Sequence, residues 1–168
     1  ERSAAFRWVP RNVRVLDVGC GFGQTLAYHQ ARGCDAYGCE VDENIRRVAE
    51  RYGLKARVGV FNAQDYEPGF FDVVVANGLI GYGLNDLAGY ERMLQQCHAV
   101  LKPGGLLVLG YNDTPERAPF PVHVDALGLF TPFVPPIPGV VQPRHPVRDK
   151  YHHVFIFGQR RDTEAIAA

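Results

Sequence analysis

Val13 to Gln24 reads Val-Arg-Val-Leu-Asp-Val-Gly-Cys-Gly-Phe-Gly-Gln, and its reading decides the fold. The apolar run Val13, Val15, Leu16 and Val18 has the density of a strand buried on both faces, as in a parallel sheet. Glycines follow at alternate positions, Gly19, Gly21 and Gly23. Gln24 to Arg32 then has a helical pattern closed by Gly33, which suits the left-handed position after a helix. Strand, glycine turn and helix form the unit that brings backbone close to a nucleotide-like ligand at a helix N-terminus. A dinucleotide fingerprint, G-x-G-x-x-G, would need its third glycine at position 24, where Gln24 stands. Asp17, at the strand's end, would repel a pyrophosphate and suits a cationic ligand.

The 168 residues are 46% hydrophobic and 21% charged, with 18 basic and 18 acidic side chains. That is enough apolar surface for one ordinary α/β domain. The neutral balance leaves no electrostatic footprint for nucleic acid or an anionic membrane. No apolar run reaches the ~20 residues a bilayer requires, and no signal peptide is visible, so a cytoplasmic protein is expected. The chain opens at Glu1 without Met, which leaves open whether the N-terminus is trimmed. Cys20, Cys34, Cys39 and Cys97 make no C-x-x-C pair and read as reduced cysteines, with no metal site.

Outward from the glycine turn, residues 1–12 are an N-terminal segment in which Glu1 to Val9 is a short amphipathic stretch ended by Pro10. It is either a helix beside the ligand or a frayed end. In the helix after the turn, Leu26, Ala27 and Gln30 form the sheet-facing side, and His29 faces solvent. Cys34 to Val41 is a second strand ending in Glu40, about 20 residues past the glycines, the offset at which a carboxylate takes two ribose hydroxyls. Asp42 caps the helix that follows, which Gly53 stops. Ala56 to Phe61 is a third strand and Phe70 to Ala76 a fourth. The loop from Asn77 to Leu84 holds three glycines, which suggests backbone close to a ligand. Asn85 or Asp86 caps a helix whose stripe is Leu87, Tyr90, Leu94, Cys97 and Leu101, with His98 beside it, solvent-facing or locally bonded. Leu101-Lys102-Pro103-Gly104-Gly105 turns into a fifth strand ending near Leu109.

Asp17 to Gly23, Phe71-Asp72-Val73-Val74 and the Leu-Lys-Pro-Gly-Gly turn together resemble the class I (Rossmann-like) S-adenosylmethionine-dependent methyltransferases, over residues 13–109. The resemblance implies a three-layer α/β/α domain with a mostly parallel seven-stranded sheet and an antiparallel C-terminal edge. It implies S-adenosylmethionine as cofactor and S-adenosylhomocysteine as product. Asp17, the backbone of Gly19, Cys20, Gly21 and Gly23, and Asn77 would hold the methionine portion. Glu40 would hold the ribose, and Val41, Asn62, Ala63 and Gln64 would border the adenine. The family often has an acid where Asn62 stands; a slipped alignment would put Asp65 there.

The remainder is less regular. Residues 110–150 hold nine of the twelve prolines, which rules out one continuous helix. Ala126 to Val134 is expected to give a helix end and a sixth strand, Pro135 to Pro146 an extended loop, and Tyr151 to Arg160 a seventh strand antiparallel to the sixth. The proline-rich segment and the Tyr82 loop are expected to form the acceptor pocket. Candidates beside the methyl are His123, Tyr111, Asp113 and Tyr82, with Asn112 close by; His123 has a pKa range suited to a base. Of His152 and His153, alternation lets at most one reach the site. No Asn-Pro-Pro-Tyr or Pro-Cys motif follows the fourth strand, which argues against methylation of nucleobase amines or cytosine carbon. A small-molecule acceptor is expected, and nothing fixes the oligomeric state. The rivals are a non-catalytic S-adenosylmethionine-binding regulator and an NAD-dependent oxidoreductase, the latter opposed by Asp17, Gln24 and the Leu-Lys-Pro-Gly-Gly turn.

Overall fold

The computed structural model describes residues 4–162. The buried run at Arg14–Val18 is the central strand β1. It is flanked in parallel by β2 (Asp35–Glu40) and β4 (Phe71–Asn77); β3 (Lys55–Val58) extends one side, β5 (Leu101–Asn112) the other. Helices α2 (Gln24–Ala31), α3 (Asn44–Tyr52) and α4 (Leu87–Val100) connect them. The strand order is β3-β2-β1-β4-β5-β8-β6, and β8 (His153–Arg160) runs antiparallel to β5.

Among the described residues the sheet has eight strands, one more than the pattern predicts. The outer edge of β8 is shared by two three-residue strands, β6 (Phe130–Pro132) and β7 (Arg144–Pro146). The expected loop at Pro135 to Pro146 thus ends in a strand. Each short strand carries a proline, tolerated because an edge strand needs no ladder donor on its outer side, and the interruption blunts the edge.

Alternation along the strands builds two apolar layers. On one face Leu16, Val74, Leu107 and Leu109 pack under Tyr90, Leu94 and Cys97 of α4. The start of the proline-rich segment joins this face: Phe120 meets the Tyr90 ring at 5.3 Å, and the Tyr90 hydroxyl donates to Val122 O at 2.9 Å. On the other face Leu26 of α2 and Ile45 of α3 cover Ala36. Beside them Val15, Val75 and Val108 meet Phe6 and Val9 of the N-terminal stretch, together with Val140 and Val147. The N-terminal stretch contains helix α1 (Ala4–Arg7), and Phe6 sits edge-on to Phe155 at 5.9 Å; its first three residues lie outside the described ones.

Three local readings change. The buried side of α2 is Leu26 and His29, while Ala27 and Gln30 are exposed. His29 sits between the rings of Phe6 and Tyr28, and burial, with Arg32 adding to it, lowers its pKa to about 4. The sheet-facing stripe of this helix is spaced by three, so an imidazole held neutral serves as an apolar ring. Asp42 acts one residue early, accepting Asn44 N–H at 2.9 Å, and α3 starts at Asn44. His98 is buried, with Nε2 at 2.9 Å from Arg161 O.

Candidate active site

A cavity of about 670 Å³ opens at the carboxyl ends of β1, β2, β4 and β5, where ligands of open α/β sheets bind. The glycine turn forms one wall. Gly19 has φ +70°, and an added Cβ would strike the Leu79 side chain, so only glycine lets the loop after β4 close over the turn. Gly19 N–H and Cys20 N–H both donate to Cys39 O, at 2.9 and 3.1 Å, which pins the turn to the end of β2.

Glu40 organises the next wall. Its Oε2 accepts Gly21 N–H at 2.8 Å; its Oε1 accepts Val41 N–H at 2.8 Å and Asp42 N–H at 3.2 Å. The carboxylate therefore bridges the glycine turn and the start of the next loop, at the cavity's edge. Asp17 lies behind the turn, 4% exposed, and among the described residues no hydrogen bond reaches its carboxylate. Burial, reinforced by Glu40, pushes its pKa up to about 7. Asn77 stands at the end of β4, its Oδ1 buried without a partner among the described residues. Gly110 on β5 makes the space: a Cβ there would strike Asn77 Oδ1.

Asp17, Asn77, Asn112 and His153 follow one another along β1, β4, β5 and β8, the register pairing Asn112 with His153. Their strand parity puts them on the α1 side of the sheet. His153 Nδ1 lies 2.8 Å from Asn112 Oδ1, and Asn112 Nδ2 donates to the Tyr82 hydroxyl at 3.4 Å. An amide oxygen only accepts, so Nδ1 carries the proton and Nε2 is the basic nitrogen. Tyr82 is held a second time by Arg117, whose guanidinium lies 4.2 Å over the ring while Nη1 donates to Gly81 O at 3.2 Å.

Of the residues singled out from sequence, Gly19, Gly21, Glu40, Val41, Asn77, Tyr82 and Asn112 line the cavity. Asp17, Cys20 and Gly23 sit behind it. Cys20 packs its sulfur over Gly38, with burial pushing its thiol up to about 12, and Gly23 is the N-cap of α2. Asn62, Ala63 and Gln64 line a shallower neighbouring groove, for a local reason: Asn62 Oδ1 caps a 3-10 turn by accepting Gln64 N–H at 3.0 Å. Asp65 is engaged with Arg57 at 2.8 Å. On the acceptor side, His123 is exposed and outside the cavity. Tyr111 is buried in the α4-side core because its parity matches Leu109, and Asp113 pairs with Arg144 at 2.6 Å. The proline-rich segment past Asp113 contributes nothing to the cavity lining. Its first part packs on α4 and its second on the opposite face. Gln96, which lines the cavity and accepts Ala63 N–H at 2.8 Å, was not singled out, and His153 was named only in the pair of which alternation admits at most one. His153 opens β8, and because β8 runs antiparallel its amino end lies opposite Asn112 at the carboxyl end of β5.

Residues 16–109 match the family model described as a methyltransferase domain. The chain belongs to the class I S-adenosylmethionine-dependent methyltransferases. A demethylmenaquinone methyltransferase of Staphylococcus aureus is 32% identical over 139 residues, which cover 78% of this chain and 55% of the relative. The chain thus spans about half the length of the curated relatives it matches. Among solved structures, the Burkholderia thailandensis 1,6-didemethyltoxoflavin-N1-methyltransferase, crystallised with 1,6-didemethyltoxoflavin and S-adenosylhomocysteine, superposes with a TM-score of 0.69 at 20% identity, over 95% of this chain and 80% of that one. The N-methyltransferase NodS of Bradyrhizobium japonicum gives 0.70 at 16% identity, over 96% of each. At those identities the likeness shows the fold. The mostly parallel sheet with its antiparallel edge is the methyltransferase one.

This methyltransferase's site fits the cofactor of its family. A buried carboxylate with a raised pKa, a second carboxylate beside it and an unpartnered amide oxygen make an acceptor-rich cradle for a cationic group. Beyond Glu40, Val41 and Val60 stand 65% and 79% exposed at the cavity, an apolar surface that a flat base would cover. Among the described residues no cluster of metal-ligating side chains is found, and no helix is long and apolar enough to cross a membrane.

Proposed function

We propose that this chain transfers the methyl group of S-adenosylmethionine to a small-molecule acceptor. The observation that carries the reading is the cavity at the strands' carboxyl ends, walled by the glycine turn, by Glu40, whose carboxylate accepts Gly21 N–H, and by Asn77. Glu40 and Asn77 supply acceptors in surroundings that favour a positive ligand. The cofactor supplies a methyl carbon activated by positive sulfur. Asp17 and Asn77 hold its methionine portion with the glycine-turn backbone, and Glu40 takes the ribose hydroxyls through the carboxylate it already presents at the cavity's edge.

The chain's own contribution is to orient and to exclude water. Tyr82, clamped by Arg117 and the Asn112 amide, covers the cavity mouth. Because its oxygen accepts from Asn112, its own O–H remains to donate to the acceptor. His153, a cavity-lining residue with Nδ1 tied to Asn112, is the imidazole placed to serve as base. That geometry favours His153 over His123 as base. The relative's name makes a short-tailed demethylmenaquinone the first acceptor to try.

Calorimetric titration with S-adenosylmethionine and S-adenosylhomocysteine tests the reading. Both should bind at one site per chain. A folded sample that binds neither would overturn it.

A further inference from the structure

Residues 144–153 carry Arg144, Arg148 and Lys150 against one acid, Asp149, in a chain whose charges balance. Three of these four charges are engaged. Arg144 pairs with Asp113 at 2.6 Å, Lys150 lies 4.9 Å over the Tyr151 ring, and Asp149 Oδ1 accepts the backbone N–H of Tyr151 and of His153 at 2.9 and 3.2 Å. Among the described residues Arg148 pairs with no carboxylate, and its side chain is exposed. It lines a cavity of about 500 Å³ on the α1 side of the sheet.

This cavity follows from how the outer edge of β8 is covered. β7 pairs with that edge, and the turn from Ile137 to Val140 packs on the same face as α1. The floor is aromatic: Phe155 and Phe157 alternate onto one face of β8, their rings stacked at 6.1 Å with 24° between the planes. Ala5, Val140 and Val147 are apolar walls. Besides Arg148, the polar side chain in the lining is His145 of β7, and no acid lines the cavity. A packed interior leaves few voids larger than a water molecule. A volume of about 500 Å³ falls in the range of roughly 300–1,000 Å³ that small-molecule sites occupy.

The cofactor cavity is walled by acceptors and suits a cation. This one has the opposite character. A guanidinium presents a planar fork that matches a carboxylate, and an imidazole N–H adds a donor beside it. Stacked rings take an alkyl chain or a flat ring. We propose that the cavity between α1 and β7 is a second ligand site for an amphiphilic carboxylate, its apolar body on Phe155 and Phe157 and its carboxylate at Arg148 and His145. The site stands independently of the cofactor reading, since the two cavities share no lining residue.

The probes are decanoate and 1-decanol, which differ in the charged head alone. Binding is read by calorimetry and by the fluorescence of Trp8, the chain's single tryptophan, whose ring lies 6.1 Å from Phe157. The wild type should bind decanoate about tenfold or more tightly than 1-decanol, the worth of a charged hydrogen bond. Arg148→Met keeps the side-chain length at an exposed position, so the fold tolerates it. It should weaken decanoate about tenfold and leave 1-decanol within about threefold. Ala5→Met fills the cavity and should weaken both probes about tenfold. Saturating S-adenosylhomocysteine should leave decanoate binding in place. Equal affinity of the wild type for the two probes, or no binding of decanoate, overturns the proposal. So does decanoate affinity that survives Arg148→Met or Ala5→Met unchanged. Displacement of decanoate by S-adenosylhomocysteine would put the probe in the cofactor cavity and overturn it as well.

Discussion

Asp17→Asn should stabilise the ligand-free protein, by an amount that depends on pH, while weakening its cofactor site. The carboxyl titrates near 7 in the folded chain because burial, and then Glu40, oppose its charge; unfolded, it titrates near 3.8. Between those values the folded state holds a proton that the unfolded state has lost, so this group's contribution to stability falls as pH rises. At about 1.4 kcal/mol per pH unit the full cost is about 4 kcal/mol at pH 8, and about 2 kcal/mol at pH 5. Asparagine carries no charge at either pH. Its buried amide adds a roughly constant cost of about 1–3 kcal/mol. The quantity to measure is therefore the difference: the gain from Asp17→Asn should be larger at pH 8 than at pH 5 by about 2 kcal/mol. For a chain of this length that is a shift in relative melting temperature of roughly 4–8 °C.

Paired urea melts of wild type and variant at the two pH values read this directly. Calorimetry of the same samples should show S-adenosylmethionine binding weakened by about 1.5–3 kcal/mol, the range for hydrogen bonds to a charged group. A stability change of equal size at pH 5 and pH 8 would refute the reasoning, because it would mean that Asp17 is not held protonated by its surroundings. Unchanged ligand affinity would refute the second half alone and remove Asp17 from the cofactor cradle.

Other outcomes follow from the same surroundings. His29 is buried neutral with its pKa lowered to about 4, so the stability it contributes is present above pH 6.5 and lost as pH falls toward 4. The loss reaches about 3 kcal/mol, and His29→Phe should flatten it in acid unfolding curves; an unchanged acid limb would contradict the burial argument. Because Asp17 gains over the same window, Asp17→Asn should steepen the acid limb, and the double variant should lose that steepening. Glu40→Ala should weaken S-adenosylhomocysteine binding by about 1.5–3 kcal/mol and loosen the glycine turn, whereas Glu40→Gln, which can still accept Gly21 N–H, should recover turn protection in amide exchange without full affinity. Equal behaviour of the two variants would mean that Glu40 acts through the turn alone. Gly110→Ala should displace Asn77 and lower cofactor affinity at near-normal secondary structure by circular dichroism.

The cofactor side was legible because its chemistry is local in sequence. Val13 to Gln24 contains a strand, its terminal acid and the turn that must approach a ligand. Glu40 falls at a fixed distance because one helix and one strand separate it from the turn. The helix stripe of α4 and the turn before β5 were readable for the same reason. What failed locally failed by small margins of packing. His29 was placed in solvent because imidazole is usually polar, yet two flanking rings make it a core side chain. Asn62, expected against adenine, lines the neighbouring groove, with its Oδ1 accepting Gln64 N–H.

The acceptor side was not legible, because its geometry is created by pairing that no local pattern encodes. Asn112 and His153 are 41 residues apart, and they meet only because β8 returns antiparallel to β5 in a register that puts them opposite each other. A one-residue slip of β8 against β5 would send the His153 side chain to the α4 face. Tyr111, a candidate beside Asn112, lies in the α4-side core because its parity is the opposite one. The proline-rich segment misled in the same way. Its prolines identified it correctly as irregular, and irregular segments commonly carry binding residues. Here the segment spends its apolar residues as cladding, Phe120 and Val122 on one face of the sheet and Val140 and Val147 on the other. Cladding fixes the position of β8, and β8 delivers His153. The segment therefore bears on the acceptor through the register it enforces and through Arg117, which clamps Tyr82. Substitutions that loosen Val140 or Val147 should misplace His153 before they disturb the glycine turn, since the turn is held by Cys39 and Glu40 on the far side of β1.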